Sequence, residues 1–166
     1  EPGKGSIVES IGDGDIGRNI APEGFATDSR KRSVYLPIVR GAVPEMLQAF
    51  DFPDPSIIFG QRDVTTVPTQ ALYMMNNPFV IEQSGHLARR VLAEARLDDA
   101  QRVDLAYRLA LSRSPASDEL DAARRFLAEA SESLQAAEPS SEEAKVRVWA
   151  GFCQMLFACS EFRYVE

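Results

Sequence analysis

Val146-Arg147-Val148-Trp149-Ala150-Gly151-Phe152-Cys153-Gln154-Met155-Leu156-Phe157 is apolar almost all the way round a helix. A helix without a wet face is a central one, so this segment is expected to be the buried axis of a helical bundle. Ser140-Ser141-Glu142-Glu143 opens it with the pattern of a capping box, a Ser followed three residues later by Glu. Working backwards, Leu120, Ala123, Leu127, Ala130 and Leu134 form one stripe at helical spacing, and Ser114-Pro115-Ala116-Ser117 punctuates its start. Val103, Ala106, Tyr107 and Ala110 form another stripe, broadened by Leu105 and Leu109, on a helix starting at Asp98 or Asp99. These two helices are expected to pack around the last one.

Further upstream, Asn77 is placed to cap a long helix whose stripe is Val80, Ser84, Leu87, Val91 and Ala95, with Phe79 widening it and Arg89, Arg90 and Glu94 beside or opposite. Pro68 suits a first helical position, so Thr69 to Met75 are read as one or two turns that Asn76-Asn77-Pro78 resets. Six prolines between Pro37 and Pro78 break the chain into short helices and rigid turns. Arg32-Ser33-Val34-Tyr35-Leu36-Pro37-Ile38-Val39-Arg40 looks extended, and Pro37 limits it to an edge or lone strand. Six of the ten glycines fall in the first 24 residues, which marks 1–29 as a loose lead-in. The expected fold is therefore mainly α: a single helical domain over 30–166 with an irregular Pro-rich half (30–79), at most a short strand near 33–39, and a bundle half (80–166) around the buried C-terminal helix.

The 166 residues are 45% hydrophobic and 26% charged, a composition typical of globular domains. No apolar run approaches the roughly 20 residues that cross a bilayer, so membrane insertion is not expected. Net charge is −7, shared almost evenly between the two halves of the chain, and the only basic cluster is Arg30, Lys31 and Arg32. Three charges do not make the basic face that nucleic acids require, so no nucleic-acid partner is expected. The bases are 15 Arg against 3 Lys, a bias towards forked, fixed contacts with carboxylates. Cys153 and Cys159 fall about 240° and about 9 Å apart on a helix, so they cannot bond to each other and read as buried free thiols. The chain starts at Glu1 in what reads as the interior of a longer protein.

Several motif matches fail on chemistry. Gly12-Asp13-Gly14-Asp15-Ile16-Gly17 has the spacing of a dinucleotide loop, but two aspartates would face the pyrophosphate and Pro22 follows too soon for a phosphate-binding helix. As a calcium loop it lacks the third oxygen ligand, where Gly17 stands, and a closing Glu. A flexible acidic turn remains. His86 is the only histidine, there is no G-x-S-x-G elbow, and its helix sets it off the apolar stripe beside Gln83 and Arg90, as a surface or half-buried residue. No Cys-x-x-Cys-His site for haem attachment and no metal-ligand set is present.

Two features remain as candidate sites. Asp51 and Asp54 are held on the Pro-stiffened turn Phe50-Asp51-Phe52-Pro53-Asp54-Pro55, where they serve either as paired carboxylates or as turn caps. Arg62 through Phe79 interleaves hydrogen-bonding side chains (Arg62, Thr65, Gln70, Asn76) with apolar residues, and buried polar groups must find partners. With Arg40, Asp51 and Asp54 these residues line a pocket or form an internal polar network, the latter being favoured.

Five runs in order, Arg32 to Arg40, Phe50 to Pro55, Arg62 to Phe79, Tyr107-Arg108-Leu109-Ala110-Leu111-Ser112-Arg113-Ser114-Pro115 and Ser160-Glu161-Phe162-Arg163-Tyr164-Val165, resemble a planctomycete-specific domain of unknown function. That domain lies at the C-terminus of large proteins that also carry planctomycete cytochrome c-type domains. The likeness runs from about residue 30 to the end, with Ser112 where Gly is expected and Cys159 where a small polar residue is usual. It implies an extracytoplasmic multidomain parent, haem only in domains upstream of this chain, and no known reaction. Residues 107–164 also look somewhat like helical modules of other bacterial surface proteins, which by analogy suggests an interaction role. The expected function is a non-enzymatic module that packs against other domains of its parent, with a cell-surface protein or a glycan as further candidate partners. The alternative is an accessory domain that completes the active site of a haem-linked or polysaccharide-acting surface enzyme.

Overall fold

The computed structural model describes residues 43, 45–53, 58, 60, 68–137 and 142–163. The lead-in 1–29, the strand expected near 33–39 and the capping serines Ser140 and Ser141 lie outside these residues. Among the described residues there are seven helices and no strand: α1 (Glu45–Ala49), α2 (Pro68–Asn76), α3 (Pro78–Leu92), α4 (Asp99–Leu111), α5 (Ser117–Ala137), α6 (Glu142–Ala158) and α7 (Ser160–Arg163). The chain divides into two compact units, Glu1–Gln70 and Ala71–Glu166.

In the first unit, α1 ends in a turn closed by the Phe52 N–H, which donates to the Leu47 carbonyl at 3.0 Å. Asp51 takes up the sharp reversal with a φ of 56°, a left-handed conformation that a short polar side chain tolerates better than a branched one. The next described helix, α2, starts at Pro68, whose fixed φ suits a first helical position and whose missing N–H would have had no intrahelical partner there.

The second unit is organised by α6. Ala144, Val148, Trp149, Phe152, Cys153 and Leu156 are buried on it, with Trp149 3% and Phe152 2% exposed. The Trp149 ring meets Phe152 edge-on at 5.9 Å, and Tyr107 from α4 tilts against Phe152 at 6.3 Å. These offset arrangements suit the ring quadrupoles, adding to the hydrophobic gain from the buried area. The expected neighbours α4 and α5 both pack on α6. The most extensive contact is with α3, a helix beyond the two expected neighbours. On α3 the buried face is Val80, Ser84, Ala88 and Val91, so Leu87 lies at its margin. That helix stops at Leu92, capped by Ala93, which leaves Ala95 in the exposed turn beyond, and Phe79 points towards solvent instead of widening the stripe.

α6 does have a wet side. Met155 is 45% exposed, and Lys145 and Arg147 also face outwards. Gln154, the one uncharged polar side chain in the run, donates to the carbonyls of Met74 and Met75 at 3.1 and 2.8 Å. Those carbonyls lie in the last turn of α2, where no intrahelical partner exists, so the amide closes a helix end.

Local capping explains the remaining boundaries. The Asn77 side chain accepts from the Phe79 N–H at 2.9 Å and starts α3. Asp98 and Gln101 form a reciprocal capping box at 2.8 and 3.0 Å that starts α4. Before α5 the cap departs from expectation: Ala116 has no capping side chain, and the Glu119 carboxylate reaches back to accept its N–H at 2.8 Å. α4 ends at Ser112 in the left-handed region, φ 59° and ψ 19°, the conformation in which a glycine carries no Cβ penalty. The glycine expected there on resemblance is thus explained by the backbone.

Two mutations test this packing. Trp149→Ala is expected to cost about 3–5 kcal/mol in urea unfolding, whereas a loss under about 1 kcal/mol would place α6 at the surface. Ser112→Gly is expected to raise stability by about 0.5–1 kcal/mol, because the left-handed residue loses its steric penalty. An unchanged or lowered urea midpoint would contradict the capping geometry.

Candidate functional site

Of the residues singled out by sequence, the structure brings two together. Gln70, in the first turn of α2, is 1% exposed, and its side-chain amide donates to the Asp51 carboxylate at 3.3 Å. A buried carboxamide requires such a partner, and Asp51 sits on the reversal after α1 where its carboxylate supplies one. Asn76 is separate: on the exposed last turn of α2 it donates to the Leu72 carbonyl at 3.0 Å. Arg40, Asp54, Arg62 and Thr65 lie outside the described residues. His86 is exposed, with its ring Nε2 3.2 Å from the Glu82 carboxylate one turn earlier. Among the described residues no group of three or more His, Cys, Asp or Glu side chains is arranged to hold a metal ion.

The most organised polar cluster is one that site reasoning from sequence passed over. The left-handed turn at Ser112 aims Arg113 back across α4, with its guanidinium carbon 5.5 Å from the centre of the buried Tyr107 ring. All five N–H donors of that guanidinium are engaged. Nη1 donates to the Ser114 carbonyl at 3.1 Å and to Glu119 at 2.7 Å. Nη2 donates to Glu119 at 2.8 Å and to Glu161 at 2.7 Å, and Nε donates to Glu161 at 2.7 Å. Two forked carboxylate contacts from one Arg tie together the end of α4, the start of α5 and α7, an arrangement open to Arg and closed to Lys.

Charge follows geometry here. The Arg113 guanidinium, helped by the Ala116 N–H, holds the Glu119 carboxyl down at about 2. Arg113 lowers the Glu161 carboxyl as well, and is itself held more firmly protonated by both glutamates. Burial, and then Glu119, raises the Tyr107 hydroxyl. Nearby, a hydrogen bond from Ser114 and the pairing with Arg108 lower Asp104. Cys159 lies at the edge of the cluster with its thiol donating to the Leu156 carbonyl at 3.0 Å. Cys153 is fully enclosed, which pushes its thiol up to about 12, and both thiols are free, as their helical spacing requires. Beside α4 there is also a groove of about 390 Å³ lined by Leu97, Ala100, Gln101, Asp104, Leu105 and Arg108. Its two charged residues are spent on each other.

With every donor of Arg113 satisfied, the cluster binds elements of the chain to one another. The signals that pointed to it were the excess of Arg over Lys and the two resembling runs that carry Arg113 and Glu161. What the sequence does not reveal is that residues 48 apart share one guanidinium.

Because its folded value is depressed, Glu119 stabilises the fold above the ordinary carboxylate range, and that stabilisation fades as pH falls from about 4.5 towards 2. Glu119→Gln is expected to cost on the order of 1 kcal/mol at about pH 7 and distinctly less at about pH 3, read from urea midpoints at the two values. A difference independent of pH would show that the pairing carries no linkage.

No curated protein and no solved structure matches the chain. A family model does match, over residues 5–127, from within the lead-in to the middle of α5. The match includes Tyr107, Arg113 and Glu119 and stops short of α6 and Glu161. Since it spans well over half of the sequence, the chain belongs to PSD1, a protein family of unknown function (DUF1553).

Proposed function

We propose that the chain is a non-enzymatic module near the C-terminus of a large extracytoplasmic multidomain protein whose other domains include haem-binding, cytochrome c-type units. It packs against those domains and contributes to binding a protein or a glycan at the cell surface. The resemblance of five ordered runs to the planctomycete domain supports the parent and its location. One structural observation supports the interaction role: large apolar side chains are left in solvent along the outer side of α2 and at the start of α3. Leu72 and Met75, three residues apart on α2, are 56% and 60% exposed, Phe79 at the start of α3 is 42% exposed, and Met155 adjoins the Gln154 that grips the end of α2. Isolated apolar side chains on a surface are ordinary, but several close together along the chain mark a face that another surface covers. Polar chemistry points the same way, since Arg113, Glu119 and Glu161 are spent internally.

Titrating the chain with the remaining domains of its parent is expected to give saturable binding. Leu72→Asp with Met75→Asp is expected to weaken it at least about tenfold with little change in the urea midpoint. Absence of binding, or a double variant that binds as tightly as the wild type, rejects the reading, as does turnover of a polysaccharide or an ester by the chain itself.

A further inference from the structure

The chain holds four methionines, and they differ sharply in what can reach them. Met46 on α1 is half-buried and Met74 on α2 is 7% exposed, whereas its neighbour Met75 is 60% exposed and Met155 on α6 is 45% exposed. The two open thioethers belong to one junction. Gln154, next to Met155, donates to the Met75 carbonyl at 2.8 Å and to that of Met74 at 3.1 Å, which joins the end of α2 to α6. Leu72, earlier on α2, and Phe79, at the start of α3, are exposed as well, and neither is open to a mild oxidant. A thioether serves as an apolar side chain much as leucine does, but its sulfur takes up oxygen. An oxidant in solvent therefore meets this face at Met75 and Met155, while Met74 stays covered.

We propose that Met75 and Met155 form an oxidation site through which a peroxide turns this face from apolar to polar. Each thioether sulfur attacks one oxygen of hydrogen peroxide. The S–O bond forms as the O–O bond breaks, sulfur gives up two electrons to the peroxide, and the departing hydroxide takes the proton of the transferred oxygen and leaves as water. The product is a sulfoxide, polar where the thioether was apolar. Covered by an apolar surface without a donor, such a group costs free energy that the thioether does not. On the reading that this face docks other domains of the parent, on which this consequence rests, oxidation releases them. A methionine sulfoxide reductase reverses the step, a dithiol becoming a disulfide as the oxygen leaves as water.

The test exposes the full chain to hydrogen peroxide and follows each methionine by peptide mass mapping. Two readouts are taken before and after: retention on a hydrophobic-interaction column, and binding to the remaining domains of the parent. Met75 and Met155 are expected to gain one oxygen each well before Met74. Retention is expected to fall and binding to weaken at least about tenfold, and the reductase is expected to restore both. Met75→Leu with Met155→Leu, which keeps size and apolarity, is expected to behave like the untreated wild type in both readouts and to lose nothing on oxidation. If Met74 oxidises as fast as Met75, the reaction follows unfolding and the proposal is overturned. It is overturned too if the oxidised wild type keeps its retention or its binding, or if the leucine variant loses as much, since Cys159 or another group is then the target. An untreated chain that binds nothing rejects the docking reading alone, and retention by itself then decides the oxidation site.

Discussion

The burial of Trp149, Phe152 and Leu156 against three other helices is the constraint on which the second unit rests. These side chains cover one side of α6, and apolar residues from α3, α4 and α5 complete their surroundings. Each of those helices is amphipathic, and most of its stability comes from the face it lays on α6 rather than from helix propensity. The caps at Asn77, Asp98 and Ala116 then decide where each helix begins. The left-handed Ser112 decides where α4 ends and turns the chain towards α5.

The same turn creates the second organising feature. A side chain two residues past the end of α4 is carried back over Tyr107, and because it is an Arg it can fork to two carboxylates at once. Glu119 thereby does double service, capping α5 through the Ala116 N–H and pairing with Arg113. Such half-exposed pairs contribute modestly when isolated, but a network sharing one guanidinium loses less conformational freedom per contact than separate pairs would. Its effect is positional: it fixes the angle between α4 and α5 and gathers α7 onto the bundle.

The proposed packing and binding role rests on a polar cluster that is engaged internally and on apolar side chains left exposed on α2 and at the start of α3. Asp51 and Gln70 fit that pattern in the first unit, where a buried amide is satisfied by the carboxylate on the preceding reversal. Membership of PSD1, a family without an assigned function, is compatible with such a role and does not prescribe it.

Local and periodic information is what the sequence carries on its own, and it determined the helical class, the buried character of α6, and the starts of α3 and α4. Capping boxes and stripes at 3.6-residue spacing are written into neighbouring residues and can be read there. The three-dimensional packing decided the rest. The Asn77 cap and the Ala93 stop set α3 so that Phe79 faces water and Ala88 the core, a rotation that stripe counting resolves poorly when apolar residues occur on both sides. Gln154 stands in an apolar run, and only the fold brings to it the α2 carbonyls that it binds. Arg113 and Glu161, 48 residues apart, meet only because α6 returns the chain to the α4–α5 turn. Side-chain pairs distant in sequence are products of the assembled fold, since the free energy that joins them exists only after the apolar faces have closed.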